Sequence, residues 1–131
     1  MSISNMTVAI SLLCLILGCS LFTEEEKIDY SEAVASVDSI RVEKIVDIGV
    51  GFTAFCTVPD PCWEFWKYDK DIIEFDVYIK IYARRDPSLF CPQVIWSIEV
   101  PLFVRVGSFG SYHFHFWQTD SSSLDTTIVI R

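Results

Sequence analysis

The chain has 131 residues, 51% of them apolar and 15% aromatic, with a formal net charge of −8 at pH 7. That length and apolar content suit one domain with a full core, and only five glycines and five prolines argue against fibrous or low-complexity classes. The acidic balance, with Arg84-Arg85 as the sole adjacent basic pair, argues against phosphate-backbone recognition and hence against a nucleic-acid partner.

Residues 1–18 carry no charged side chain, so the whole charge imbalance sits in the remainder. Within them, residues 6–17 (MTVAISLLCLIL) form an apolar run. Twelve helical residues would span about 18 Å, short of the ~30 Å hydrocarbon core of a bilayer. The length suits the h-region of a signal peptide. A buried core helix would be expected to show a polar stripe, and this run has no polar face.

The run ends in Ile16-Leu17-Gly18-Cys19. These four residues resemble the lipobox of bacterial lipoproteins: an apolar pair, a small residue, then cysteine. The resemblance covers about the first twenty residues. It implies a signal peptide over 1–18 and a mature chain starting at Cys19, acylated on its sulfur and its amine. Multiple acyl chains anchor far more firmly than the single chain that binds only marginally. The resemblance also implies a cell-envelope location, with Ser20 in place of an aspartate favouring the outer membrane.

Residues 19–38 are expected to form an acidic tether that lifts the domain off the membrane. Glu24-Glu25-Glu26 is a charge run of the kind found in solvated spacers. Residues 29–35 (DYSEAVA) allow a short helix, too short to be stable alone.

From about residue 39 the period changes to two. In 44–56 the apolar parity holds Val46, Ile48, Val50, Phe52, Ala54 and Cys56, with Gly49 and Gly51 marking a bulge or a close backbone approach. In 72–83 Ile73, Phe75, Val77, Ile79 and Ile81 alternate with Glu74, Asp76, Tyr78, Lys80 and Tyr82. In 94–106 Val94, Trp96, Ile98, Val100, Leu102, Val104 and Val106 share one side, and Pro101 predicts an edge position, a bulge or a break. Tyr112, Phe114 and Phe116 alternate with His113, His115 and Trp117, and Ile128 and Ile130 close the chain in a last strand. Turn signals fall at Pro59 to Pro61, Asp69 to Asp71, Arg84 to Ser88, Gly107 to Gly110 and Asp120 to Ser123. This spacing predicts an all-β fold over 39–131: an antiparallel, immunoglobulin-like β-sandwich of about six to seven strands, with a small β-barrel as the alternative.

Of five cysteines, Cys14 belongs to the signal segment and Cys19 to the anchor. Cys56, Cys62 and Cys91 remain for an oxidising compartment, which allows one bridge and one free thiol. Cys62–Cys91 is the preferred pairing, because both cysteines sit beside prolines where loops enter strands. Cys56–Cys62 is the other, and Cys56 shares the buried parity of its strand.

Several residues invite a functional reading. His113 and His115 project to one strand face and are candidate metal ligands, although two exposed histidines explain them as simply. Glu74 and Asp76 could form an acid/base pair, but Lys80 on the same face makes a cross-strand ion pair equally good. No nucleophilic triad order, phosphate loop or zinc-hydrolase motif is present, so neither an enzyme nor a cofactor is expected. Trp63, Trp66, Tyr68, Tyr78, Tyr82 and Trp117 form a candidate contact surface, since several fall on the polar parity. The loop holding Pro59, Asp60 and Pro61 is stiff, and a stiff loop loses little entropy on binding. The expectation is therefore a lipid-anchored envelope lipoprotein with a non-catalytic module for a protein or glycan partner. A protease inhibitor acting through the Cys56–Cys62 loop is an alternative, and a structural envelope protein is another.

Overall fold

The computed structural model describes residues 27–131; the apolar run at 6–17, the lipobox with Cys19 and the tether up to residue 26 lie outside them. The described chain folds into seven strands: β1 (Ser31–Val46), β2 (Gly49–Val58), β3 (Glu64–Ile73), β4 (Asp76–Arg85), β5 (Trp96–Arg105), β6 (Gly110–Thr119) and β7 (Ser122–Ile130). Among these residues no helix is long and apolar enough to cross a membrane.

The strands make two layers, joined by β1. In one layer β2 lies between β1 and β5, antiparallel to both. In the other, β3 pairs with β4 along its length, and β6 pairs with β7. On its second side β4 meets Ser31–Ala35 of β1 toward its C-terminal end and β6 toward its N-terminal end. Strand β1 is thus shared. It passes from one layer to the other with register shifts between Val37 and Ser39 and between Val42 and Lys44, where bulges add twist and bend the strand. Across the other seam, the Tyr68 hydroxyl donates to the Phe103 carbonyl (3.0 Å) and Lys70 Nζ to that of Arg105 (2.9 Å). These two contacts tie β3 to β5, so the sandwich curls toward a half-barrel.

The core lies between the layers. Phe52 of β2 meets Phe114 and Phe116 of β6 edge to face, with centroids 5.0 and 5.3 Å apart. Val37, Val77, Ile79, Ile81, Val100 and Val104 complete it, all essentially inaccessible. Burying each such aliphatic or phenyl side chain stabilises the fold by roughly 1.5–3 kcal/mol. Cys56 is buried among them, and loss of hydration, then the charge of Asp38, pushes its thiol up to about 12. It is the inert core thiol that its strand parity implied.

Several expectations are corrected. The domain starts at Ser31, not 39: residues 31–38 are strand rather than tether, and 29–35 is not helical. Glu32, Ala33 and Val34 gain backbone partners in β4, which no isolated short helix could match. The alternating run at 72–83 is interrupted. Glu74 has φ 56°, in the left-handed region, and turns the chain between β3 and β4. Ile73 and Phe75 are therefore exposed, while Val77, Ile79 and Ile81 are buried as predicted. The expected turn at Asp69–Asp71 is instead mid-strand in β3. One pairing is parallel, β4 with β6, and this pair and the shared β1 depart from a purely antiparallel, immunoglobulin-like arrangement. Pro101 sits within β5, opposite Thr53, on the strand that ends the β1-β2-β5 layer, where a missing donor costs no ladder bond. The Phe103 ring lies against Gly49, where a Cβ would overlap it, so close approach is what that glycine permits.

Strand directions set the two ends of the molecule. The start of β1, the β2–β3 and β4–β5 loops and the β6–β7 turn share one end; the β1–β2, β3–β4 and β5–β6 connections share the other.

Candidate functional site

Alternation on β4 points Val77, Ile79, Ile81 and Ala83 into the core and leaves Tyr78, Lys80 and Tyr82 on the outward face. On β6, Phe114 and Phe116 point inward, so His113, His115 and Trp117 join that outward face. The parallel register places Tyr78 beside His115, and the two rings stack at 4.9 Å with an interplanar angle of 22°.

His115 is held from both sides. Its Nε2 bonds to Asp76 Oδ1 at 2.9 Å, and its Nδ1 bonds to Asp125 Oδ1 at 2.8 Å. With a carboxylate at each nitrogen the ring favours the doubly protonated form. The bond to Asp76 is the largest cause that raises its pKa above the usual imidazole value, with Asp125 adding to it against a smaller loss of hydration. Asp125 is held below the usual carboxylate range, first by Ser123 and then by His115. The arrangement clamps β4, β6 and β7 together. It also leaves no lone pair on His115 for a metal. His113 is exposed and bonds Thr127 through Nδ1 at 2.9 Å. The two histidines share a face as predicted, but only one has a free ring nitrogen.

Three shallow clefts run across this face. One of about 300 Å³ is lined by Tyr78, Lys80, His115, Trp117, Asp120 and Ser122. A second, also about 300 Å³, lies among Asp69, Asp71, Tyr78, Lys80 and Tyr82. The third, of about 290 Å³, is walled by Glu32, Trp66, Lys67 and Tyr82. Tyr78 and Lys80 join the first two, and Tyr82 joins the last two. Lys67 places its ammonium 4.5 Å from the Trp66 ring centroid and 5.1 Å from that of Tyr82. Burial and a hydrogen bond to Asp69 hold the Tyr82 hydroxyl above the usual phenol range. The face therefore offers rings, hydroxyls, carboxylates and the ammonium groups of Lys67 and Lys80 across β3, β4 and β6.

The remaining predicted site residues lie elsewhere. Cys62 and Cys91 are disulfide-bonded, with Cα atoms 6.1 Å apart, which joins the β2–β3 loop to the β4–β5 loop. Pro59 is exposed and Pro61 half-buried. Asp60, expected as a displayed contact, is only 5% exposed. Both of its oxygens accept from Arg85 Nε at 3.1 and 3.0 Å, and Oδ1 also accepts from the Cys62 backbone N–H at 2.9 Å. An acidic side chain fixed between two prolines beside a bridged cysteine must find a buried cation or lose heavily on desolvation. Arg85 answers that need, from a stretch that the sequence marks only as a basic pair at the start of a turn signal. Asp60 also approaches both sulfurs, the ligating atoms all lying within 4.8 Å of one another, but the sulfurs are bonded to each other and offer no thiolate. Trp63 packs against the core beside this loop. The three tryptophans thus do not form one patch: Trp66 and Trp117 flank β4 on opposite sides, and Trp63 stands apart.

Compared with known proteins, the chain matches no family model, no curated protein and no solved structure. The class is set by the fold alone: a curled two-layer β-sandwich with a ring-and-charge face on its β3-β4-β6-β7 layer.

Proposed function

We propose that the protein is a lipid-anchored lipoprotein of the bacterial envelope whose sandwich is a non-catalytic module that binds a glycan along the outward face of β4. One observation carries the glycan reading: three clefts made continuous by Tyr78, Lys80 and Tyr82, with Trp66 and Trp117 on the flanks. Sugar rings offer C–H faces that pack on aromatic rings and hydroxyls that need convergent donors and acceptors, and this face supplies both. Protein interfaces deplete lysine and aspartate at their centres, whereas here Lys80, Asp69 and Asp71 lie in the middle of the face. The doubly held His115 supports a rigid binding surface rather than a proton shuttle. The anchor rests on Ile16-Leu17-Gly18-Cys19. Neither a protease inhibitor nor a purely structural protein draws comparable support, since Asp60 is turned inward under Arg85.

Titration calorimetry against soluble envelope saccharides tests the module. Tyr78→Ala and Trp117→Ala are each expected to weaken binding about tenfold, the effect of roughly 1.4 kcal/mol. Absence of any heat at millimolar saccharide would end the glycan reading. Mass spectrometry of the mature N-terminus tests the anchor, which fails if the chain starts elsewhere than at an acylated Cys19.

A further inference from the structure

The β4–β5 loop, with Trp96 at the start of β5, carries the most exposed apolar side chains of the described structure. Phe90 is fully exposed, Ile95 is 79% exposed, and Leu89, Val94 and Trp96 are each about half exposed. Residues 87–98 contain no charged side chain, in a chain whose net charge is −8. This stretch is not loose. Arg85, already pinned by Asp60, donates through Nη1 to the Asp86 carbonyl and through Nη2 to that of Leu89, both at 3.1 Å. Asp86 caps the turn by accepting from the Ser88 backbone N–H and hydroxyl. Cys91, between Phe90 and the next apolar cluster, is bolted to Cys62. The buried ion pair and the bridge therefore hold greasy side chains out in water, which a merely connecting loop has no reason to do.

The place of this tip in the fold selects its occupant. Ser31 pairs with Arg85, so β1 begins at the same end of the molecule as the tip. Only twelve steps of chain separate Cys19 from Ser31, a reach of at most about 40 Å. An anchor at Cys19 would keep this end within that distance of the bilayer, close enough for the tip to reach it. We infer that the Leu89–Phe90 and Val94–Trp96 tip is a second membrane contact, inserting its apolar side chains into the boundary between headgroups and acyl chains. The inference rests on the anchored-lipoprotein reading. An uncharged apolar segment with a tryptophan is the composition that this boundary accepts. The bracing means that little conformational freedom is lost on insertion.

The acylated full chain on phosphatidylethanolamine/phosphatidylglycerol vesicles with brominated acyl chains provides the test, read by flotation and by tryptophan emission. The wild type should float and lose emission to the bromines, and Trp96→Phe should remove most of that quenching. Phe90→Asp combined with Ile95→Asp, at side chains already in solvent, should abolish the quenching and leave flotation unchanged. Flotation without quenching, or quenching that survives Trp96→Phe unaltered, overturns the membrane tip, leaves the anchor standing and assigns the surface to a protein partner. A chain that does not float overturns the anchor, and the tip with it.

Discussion

Asp60 with Arg85 and Asp76 with His115 are both acid–base contacts, at 3.0 and 2.9 Å, yet they act differently. The side chains of the first pair are 7% and 14% exposed, and those of the second 44% and 23%. Sequestered from water, Asp60 and Arg85 each need the other, and both make further bonds to the loops around them. They fix the end of the sandwich from which the apolar tip projects. His115 and its two carboxylates remain near water on the outward face of the β3-β4-β6-β7 layer, where the charge of His115 responds to pH. Depth, rather than distance, decides which contact is a structural bolt and which a titratable clamp.

The sharpest way to break this contrast is to remove one partner of each pair. Asp60→Ala strands Arg85 in a buried site and should lower unfolding free energy by about 3–5 kcal/mol in urea titration. A loss comparable to that of an exposed pair would show that water reaches Arg85 after all. Reducing the Cys62–Cys91 bridge, which closes a loop with a sequence separation of 29, should cost about 3.5 kcal/mol in the same assay. Combined with Asp60→Ala it should show non-additivity, because both secure the same two loops.

A smaller effect is expected on the exposed side. The folded-state pKa of His115 is raised, so its contribution is fully present below its ordinary value of 6.5 and is lost as pH rises through the folded value. That of Asp125 is lowered, so its contribution is present above 3.8 and is lost as pH falls through the folded value. The melting temperature should therefore decline on going from pH 6.5 toward 8, and His115→Gln should flatten that slope; an unchanged slope would detach it from this cluster. The smallest expected effect concerns Cys56. With its thiol pushed up to about 12, it should stay unmodified by alkylating reagents at pH 8 until the protein unfolds, as read by mass spectrometry.

Much of this was legible in the sequence where one strand's own pattern decides the outcome. The period-two runs located β2, β4, β5 and β6, and the core parity of Val77, Ile79, Ile81, Phe114 and Phe116 follows from them. The proline-flanked cysteines indicated the bridge that forms. Legibility failed where the partner was distant. Residues 31–38 become strand only because β4 and β2 offer them ladders, and the 72–83 run divides at Glu74, whose left-handed backbone no alternation pattern reveals.

The sequence by itself determined an all-β domain and the inward parity of its strand interiors, because alternation is a local property of each strand. Only the tertiary structure decided what the polar residues do. The parallel β4–β6 register brings Tyr78 onto His115 and places Asp76 within reach of the ring, and loop closure turns Asp60 inward to Arg85. Those outcomes depend on which strands become neighbours, and that is settled by packing two layers around one core, not by any run of residues within one strand.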